Sequence, residues 1–168
     1  MGFPARLMAL CVSCLVCSLP LAAATVCVCV LESGLPEEAA PAEASSAWEA
    51  GLMAALFDAG HIVTNAALVR VQASAEGLFT LPERRFGALA AKDGGAEILS
   101  VVVLDYGYAA DATRPSPRNV AYRVLDVESG SVLAEGMKER NVTTDSATEE
   151  AREAGELARI MMTRLKER

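Results

Sequence analysis

The chain has 168 residues, 52% hydrophobic and 22% charged, which suits one packed domain and is too apolar for a disordered tail. Its formal net charge is −7 and no basic stripe is legible, so binding to nucleic acid through phosphates and adsorption to an anionic membrane surface are both disfavoured. Aromatic content is only 5%, leaving Val, Leu, Ile, Ala and Met to fill the core.

The first 24 residues read as an export leader. Arg6 is the only charged side chain before Glu32. An apolar run from Leu7 to Leu19 follows, then Pro20 and Leu21-Ala-Ala-Ala24. A short basic start, an apolar stretch and an Ala-x-Ala site form a secretory signal cleaved after Ala24. Removing residues 1–24 takes Arg6 away and leaves 14 basic against 22 acidic side chains, a net −8. Two alternatives stay open. Residues 7–31 are long enough to span a bilayer uncleaved, since about 20 apolar residues suffice. A lipidated cysteine is the other. It needs a small residue just before the Cys and an aliphatic one three before, which Cys14, Cys17 and Cys27 do not supply. Cys11, Cys14 and Cys17 belong to the leader. Cys27 and Cys29 are too close in an extended strand for an unstrained disulfide, and no second pair completes a metal site, so they read as small buried hydrophobes.

Thr25 to Leu31 is the first strand, with Val26, Val28 and Val30 on one face and Cys27, Cys29 and Leu31 on the other. Glu32 to Ser45, with two prolines and four glutamates, is a solvated loop. Ser46-Ala-Trp-Glu49 has the form of a capping box opening a helix. Its apolar stripe is Trp48, Leu52, Ala55, Leu56 and Ala59, widened by Met53 and Phe57, and Gly60 ends it. His61 stands alone just beyond, with no Cys, Ser or acidic partner legible around it, and is read as structural. Ile62 to about Val71 is predicted as a second strand with a break near Asn65, followed by a polar connection over 73–77. Thr80-Leu-Pro-Glu83 opens a short helix with Phe86, Leu89 and Ala90 inward, ended by Gly94-Gly95.

Residues 96–108 hold the longest β-branched run outside the leader. Ile98, Val102 and Leu104 face one way and Leu99, Val101 and Val103 the other, which marks a strand buried on both faces in the middle of a sheet. Ala109 to Arg118 is a second long loop. Asn119–Val127, a turn at Glu128-Ser-Gly130 and Ser131–Lys138 form an antiparallel hairpin. Asn141-Val-Thr143 matches a glycosylation sequon, read as chance in a bacterial-looking chain. Ser146-Ala-Thr-Glu149 is a second capping box. The helix after it turns Ala147, Ala151, Ala154, Ala158, Met161 and Leu165 inward, flanked by Leu157, Ile160 and Met162. Its solvated face carries Glu149, Glu150, Arg152, Glu153, Glu156 and Arg159. Lys166 and Arg168 complement the dipole at its C-terminal end.

The order of elements specifies an α/β (α+β) domain over 25–168: a single mixed sheet of about five strands with three helices packed on it. The strand at 25–31, "Ala-Leu-Phe-Asp-Ala-Gly-His-Ile-Val" at 55–63, "Gly-Ala-Glu-Ile-Leu-Ser-Val-Val-Val-Leu-Asp-Tyr" at 95–106 and "Tyr-Arg-Val-Leu-Asp-Val-Glu-Ser-Gly-Ser-Val-Leu-Ala-Glu" at 122–135 resemble one family. It is the periplasmic domain shared by the curli-secretion channel lipoprotein, the lipoprotein activator of penicillin-binding proteins and the N-terminal domain of the Tol β-propeller protein. The resemblance implies a non-enzymatic cell-envelope protein and transfers no binding residues. No channel-forming insertion is visible.

No nucleophile elbow, zinc-protease motif, phosphate loop or dinucleotide fingerprint is present. Asp105 and Asp126, on adjacent predicted strands, are the one carboxylate pair in reach of hydrolytic chemistry, which needs a separation of about 5–10 Å. Tyr106, Tyr108, Tyr122 and Arg123 offer a groove lining, though core or rim packing explains them equally. The expectation is an exported interaction module with an unidentified envelope protein partner, no cofactor, no metal, no catalytic residues and no nucleic acid. It would make contact through an exposed sheet edge or the 109–118 loop. A carrier of a small apolar ligand or lipid is the alternative, and a weak hydrolase using Asp105 and Asp126 a second.

Overall fold

The computed structural model of the chain describes residues 23–34, 43–75, 85–92, 94–106, 117–140 and 146–166. Residues 1–22 of the expected leader, most of both long loops, the helix opening at Thr80, Tyr108 and the sequon lie outside the described residues. The elements are β1 (Thr25–Ser33), α1 (Glu43–Asp58), β2 (Ile62–Asn65), α2 (Ala67–Ala75), α3 (Arg85–Lys92), β3 (Ile98–Asp105), β4 (Asn119–Asp126), β5 (Val132–Glu139) and α4 (Ala147–Lys166).

The five strands form one mixed sheet in the order β2-β1-β3-β4-β5. β1 runs parallel to both β2 and β3, with Val26 opposite Ile98 and Ser33 opposite Asp105. β3, β4 and β5 are successively antiparallel. The sequence of β3 explains its central place. A strand apolar on both faces is stable only where both faces are covered, and Leu99 to Leu104 are all buried. Each fully buried Val or Leu contributes about 1.5–3 kcal/mol.

Two cores result, one on each side of the sheet. Val26, Val28, Val30, Val102, Leu104, Val120 and Val124 meet Trp48, Leu52 and Leu56 of α1 and Ala154, Leu157, Ala158 and Met161 of α4. Cys27, Cys29, Leu31, Leu99, Val101 and Val103 meet Val69 of α2 and Phe86 and Ala90 of α3. The molecule is therefore a three-layer α/β/α fold, and it has four helices where three were expected. The additional one is α2. Residues 62–71 were expected as one strand, because Ile62-Val63 and Leu68–Val71 are both β-branched or aliphatic. β2 instead ends at Asn65, and the chain turns at buried Ala66, whose N–H donates to Val28 O (3.0 Å). Val69 then points to the core while Leu68 and Val71 are exposed, a helical rather than an alternating pattern.

α1 and α4 lie side by side and parallel: Trp48 meets Glu150, Gly51 meets Ala151, and Ala55 meets Gly155. Small residues set this close approach. A Cβ on Gly51 would stand 2.1 Å from Ala151 O. Three expectations about these helices are corrected. α1 begins at Glu43, so Ser46 and Glu49 lie inside it; Glu43 and Ala44 extend the helix, and Glu49 pairs with Arg70 of α2 at 2.5 Å instead of reaching back. Phe57, expected to widen the apolar stripe, is 69% exposed. Glu150, expected on the solvated face of α4, is 2% exposed. Ser146 does stand immediately before α4, its carbonyl accepting from Glu149 N and Glu150 N.

Candidate interaction surface

The carboxylates that the hydrolase reading requires are not brought together. On the β3–β4 ladder Asp105 is opposite Asn119 and Asp126 is opposite Ile98, so the two acids lie at opposite ends. Seven residues of strand separate them, roughly 23 Å at about 3.3 Å per residue. Each has a local task. Asn119 Nδ2 donates to Asp105 Oδ2 (3.2 Å). Asp126 Oδ1 accepts from Ser129 N (2.7 Å) and Ser129 Oγ (2.6 Å), closing the β4–β5 turn in which Gly130 takes a positive φ of 68°. These Ser129 bonds hold the Asp126 carboxyl below its usual range. The tyrosines and Arg123 do not share a groove either. Tyr106 and Tyr122 are buried in the core under α1 and α4, and Arg123, one residue on from Tyr122, points to the other face of the sheet. Cys27 and Cys29 are buried free thiols. Burial pushes the Cys29 thiol up to about 12, which keeps it from acting as a thiolate at neutral pH.

The topological switch lies between β1 and β3, since their crossovers use opposite faces of the sheet. The carboxyl ends of such strands are where doubly wound folds open a crevice. Here a polar cluster fills that position. Arg140, just past β5, donates from Nη2 to Glu150 Oε1 (3.1 Å), from Nε to Glu153 Oε2 (2.8 Å) and from Nη1 to Pro117 O (3.0 Å). Its guanidinium stands 5.6 Å from the Trp48 ring centre, and Trp48 Nε1 donates to the other oxygen of Glu150. A buried charge is tolerated only when paired in this way. Alongside, Ser45 Oγ donates to Glu32 and lies 2.9 Å from Tyr106 Oη. Burial pushes the Tyr106 phenol up to about 12; Glu32 and Glu150 add to this, while Ser45 and Arg140 oppose it. The cluster joins the ends of β1, β3 and β5 to α1 and α4. Sequence reading missed it because Glu150 shares its helical spacing with exposed acids. The available signal was Trp48, an indole N–H on an apolar stripe that needs a buried acceptor.

The surface left open is on the other side of the hairpin. α2 and α3 cover β1 and β3 on that face, while Ala121 and Arg123 of β4 and Val132, Glu135 and Met137 of β5 carry no helix among the described residues. Met137 is 77% exposed. Arg123 Nε donates to Glu135 Oε2 at 3.1 Å, a cross-strand pair beside Met137. β5 is also the last strand of the sheet, and no described strand pairs with its outer edge. Gly136 lets the Tyr122 ring lie against the backbone, since a Cβ there would sit 2.8 Å from the ring.

At the far end of the sheet, one crevice of about 20 Å³ is lined by Val26, His61, Ser100, Met161, Met162 and neighbouring aliphatic side chains. That volume holds roughly one water molecule, so it gives the carrier reading no lipid-sized cavity. No helix among the described residues is long and apolar enough to cross a membrane, and none of their acidic, His or Cys side chains group as a metal cluster.

No family model and no curated protein matches this chain. Solved structures do. The lipoprotein GNA1162 from Neisseria meningitidis is 14% identical with a TM-score of 0.43, over 86% of this chain and 99% of that one. CT253 from Chlamydia trachomatis is 14% identical with a TM-score of 0.47, over 86% and 96%. LpoB from E. coli is 14% identical with a TM-score of 0.42, over 70% of this chain and 59% of its own length. The expected resemblance to a lipoprotein domain is met as a likeness of fold, and at these identities no side chain is carried across.

Proposed function

We propose that this is an exported, non-catalytic module of the bacterial cell envelope, periplasmic after removal of residues 1–24, that docks a partner protein along β5. The observation that carries the reading is Met137, 77% exposed on an uncovered sheet face beside an edge strand that no described strand pairs. An open edge offers backbone hydrogen bonds to an extended segment, and alternate side chains give it specificity. The Arg123–Glu135 pair sets a polar border around the apolar contact. The net −8 of the processed chain favours a basic partner segment over nucleic acid or an anionic membrane surface. The hydrolase alternative loses its residue basis with Asp105 and Asp126 at opposite ends of the ladder.

The test is site-specific photo-crosslinking in intact cells, with the crosslinking residue placed at Met137 or, for comparison, at Arg159 on the exposed side of α4. One stoichiometric adduct at 137 and none at 159 supports the reading. Equal adducts at both positions, or none at 137, would overturn it.

A further inference from the structure

The only histidine of the chain lies at the amino end of the sheet, away from the docking surface and from the Arg140 cluster. His61 is 8% exposed, and its Nδ1 is buried without a hydrogen-bond partner. A buried polar nitrogen left unpaired costs about 1–3 kcal/mol, so a ligand there is stabilising. The crevice that His61 lines also exposes Met161 and Met162, consecutive on the last turns of α4. Ser100 Oγ donates to Met161 Sδ at 3.7 Å, which fixes that thioether against β3. The remaining walls are aliphatic; no carboxylate and no thiol lines the crevice.

Two further features favour a positive ion. α1 and α4 are parallel, and both end beside this crevice, Leu56 and Leu165 being among its walls. The negative ends of both helix dipoles therefore converge on it, as cations prefer. The volume of about 20 Å³ suits a single ion and excludes an organic ligand.

We infer that His61 Nδ1 and the sulfurs of Met161 and Met162 form a binding site for one soft monovalent metal ion, copper(I). Thioethers select copper(I), and imidazole suits copper as well. Zinc prefers four ligands drawn from thiolate, imidazole and carboxylate, of which the crevice offers one. A dry aliphatic wall also penalises a divalent ion more heavily than a monovalent one. The site is independent of the docking reading and would stand or fall without it.

Silver(I), a redox-inert stand-in, is titrated into the full chain carrying ¹³C-methyl methionine. The six methionines, at 1, 8, 53, 137, 161 and 162, report separately by NMR, and the titration runs past the five equivalents that the cysteines can absorb. The expected result is that the Met161 and Met162 methyl signals and the His61 ring signals move together and saturate with one equivalent, while Met53 and Met137 stay in place. His61→Phe, which keeps the crevice filled, should weaken that event at least about tenfold without lowering the melting temperature. If His61→Phe does not fold, Met162→Leu at a half-buried position gives the same comparison. Unmoved Met161 and Met162 signals, or equal shifts with and without the imidazole, would overturn the site and leave His61 Nδ1 to a buried water.

Discussion

At Gly51 a single missing methyl sets the distance between two helices. Adding it in Gly51→Ala drives a Cβ into the Ala151 carbonyl, and backbone cannot rotate away as a side chain can. The expected loss is about 3 kcal/mol, read from urea unfolding at unchanged m-value. Glu150→Ala should cost about 3–5 kcal/mol, because Arg140 and the Trp48 N–H lose their shared acceptor inside the protein. Trp48, the only tryptophan, reports the same change as a shift in its fluorescence. Titration gives two more residue-level expectations. Asp126 has a folded pKa below its ordinary value, so its contribution is present above about pH 4 and is lost as pH falls through the lower folded value. Ser129→Ala should bring the Asp126 pKa, followed by carboxyl NMR, back up. Tyr106 has the opposite sign. Its folded pKa of about 12 exceeds the usual value near 10, so the stability it confers is complete below pH 10 and is lost as pH rises from 10 to 12. Tyr106→Phe should flatten the stability curve over that window.

Among the elements, those whose burial is periodic were the legible ones. β3, β1 and the inner stripe of α4 follow from side-chain alternation or from steps of three and four, since tertiary packing there repeats what the local pattern demands. The second strand was misread because Leu68-Val69-Arg70-Val71 satisfies a strand's composition; only the turn at Ala66, imposed by pairing to Val28, converts it to a helix. The start of α1 was placed late for a related reason: Ser46 and Glu49 have capping-box spacing, but Glu49 is engaged by Arg70 across the edge of β1. The docking strand was legible as the second arm of a hairpin. That it would be the sheet edge was not, because edge position depends on where every other strand lies. β5 also carries a prediction of its own. Glu135→Lys places two like charges opposite each other at Arg123 and should cost under about 1 kcal/mol, since the pair is exposed. Its effect on crosslinking at Met137 should be far larger than its effect on melting.

For the whole molecule, the layered architecture divides the chain's polar chemistry between the two ends of the sheet. The carboxyl ends of β1 and β3 are sealed by Arg140, Trp48 and Glu150, and the amino ends hold His61 and the methionines. Neither grouping was visible in the linear sequence. Arg140 and Glu150 join Trp48 from about a hundred residues away, and His61 meets Met161 across the same span. What the sequence did carry was the compartment, through a leader whose removal predicts a mature amino terminus at Thr25. Mass spectrometry of the exported protein checks this: a mature chain beginning at Thr25 is expected, and an intact or acylated amino terminus would contradict it.

The position of β1 has a consequence for biogenesis. The first stretch to follow the leader is an inner strand whose parallel neighbours come from residues 62–65 and 98–105. No sheet can close around it until more than half of the polypeptide has been made. A leader-bearing chain therefore stays loose enough to thread a translocation pore, and becomes compact only on the far side, once Asp105 has emerged.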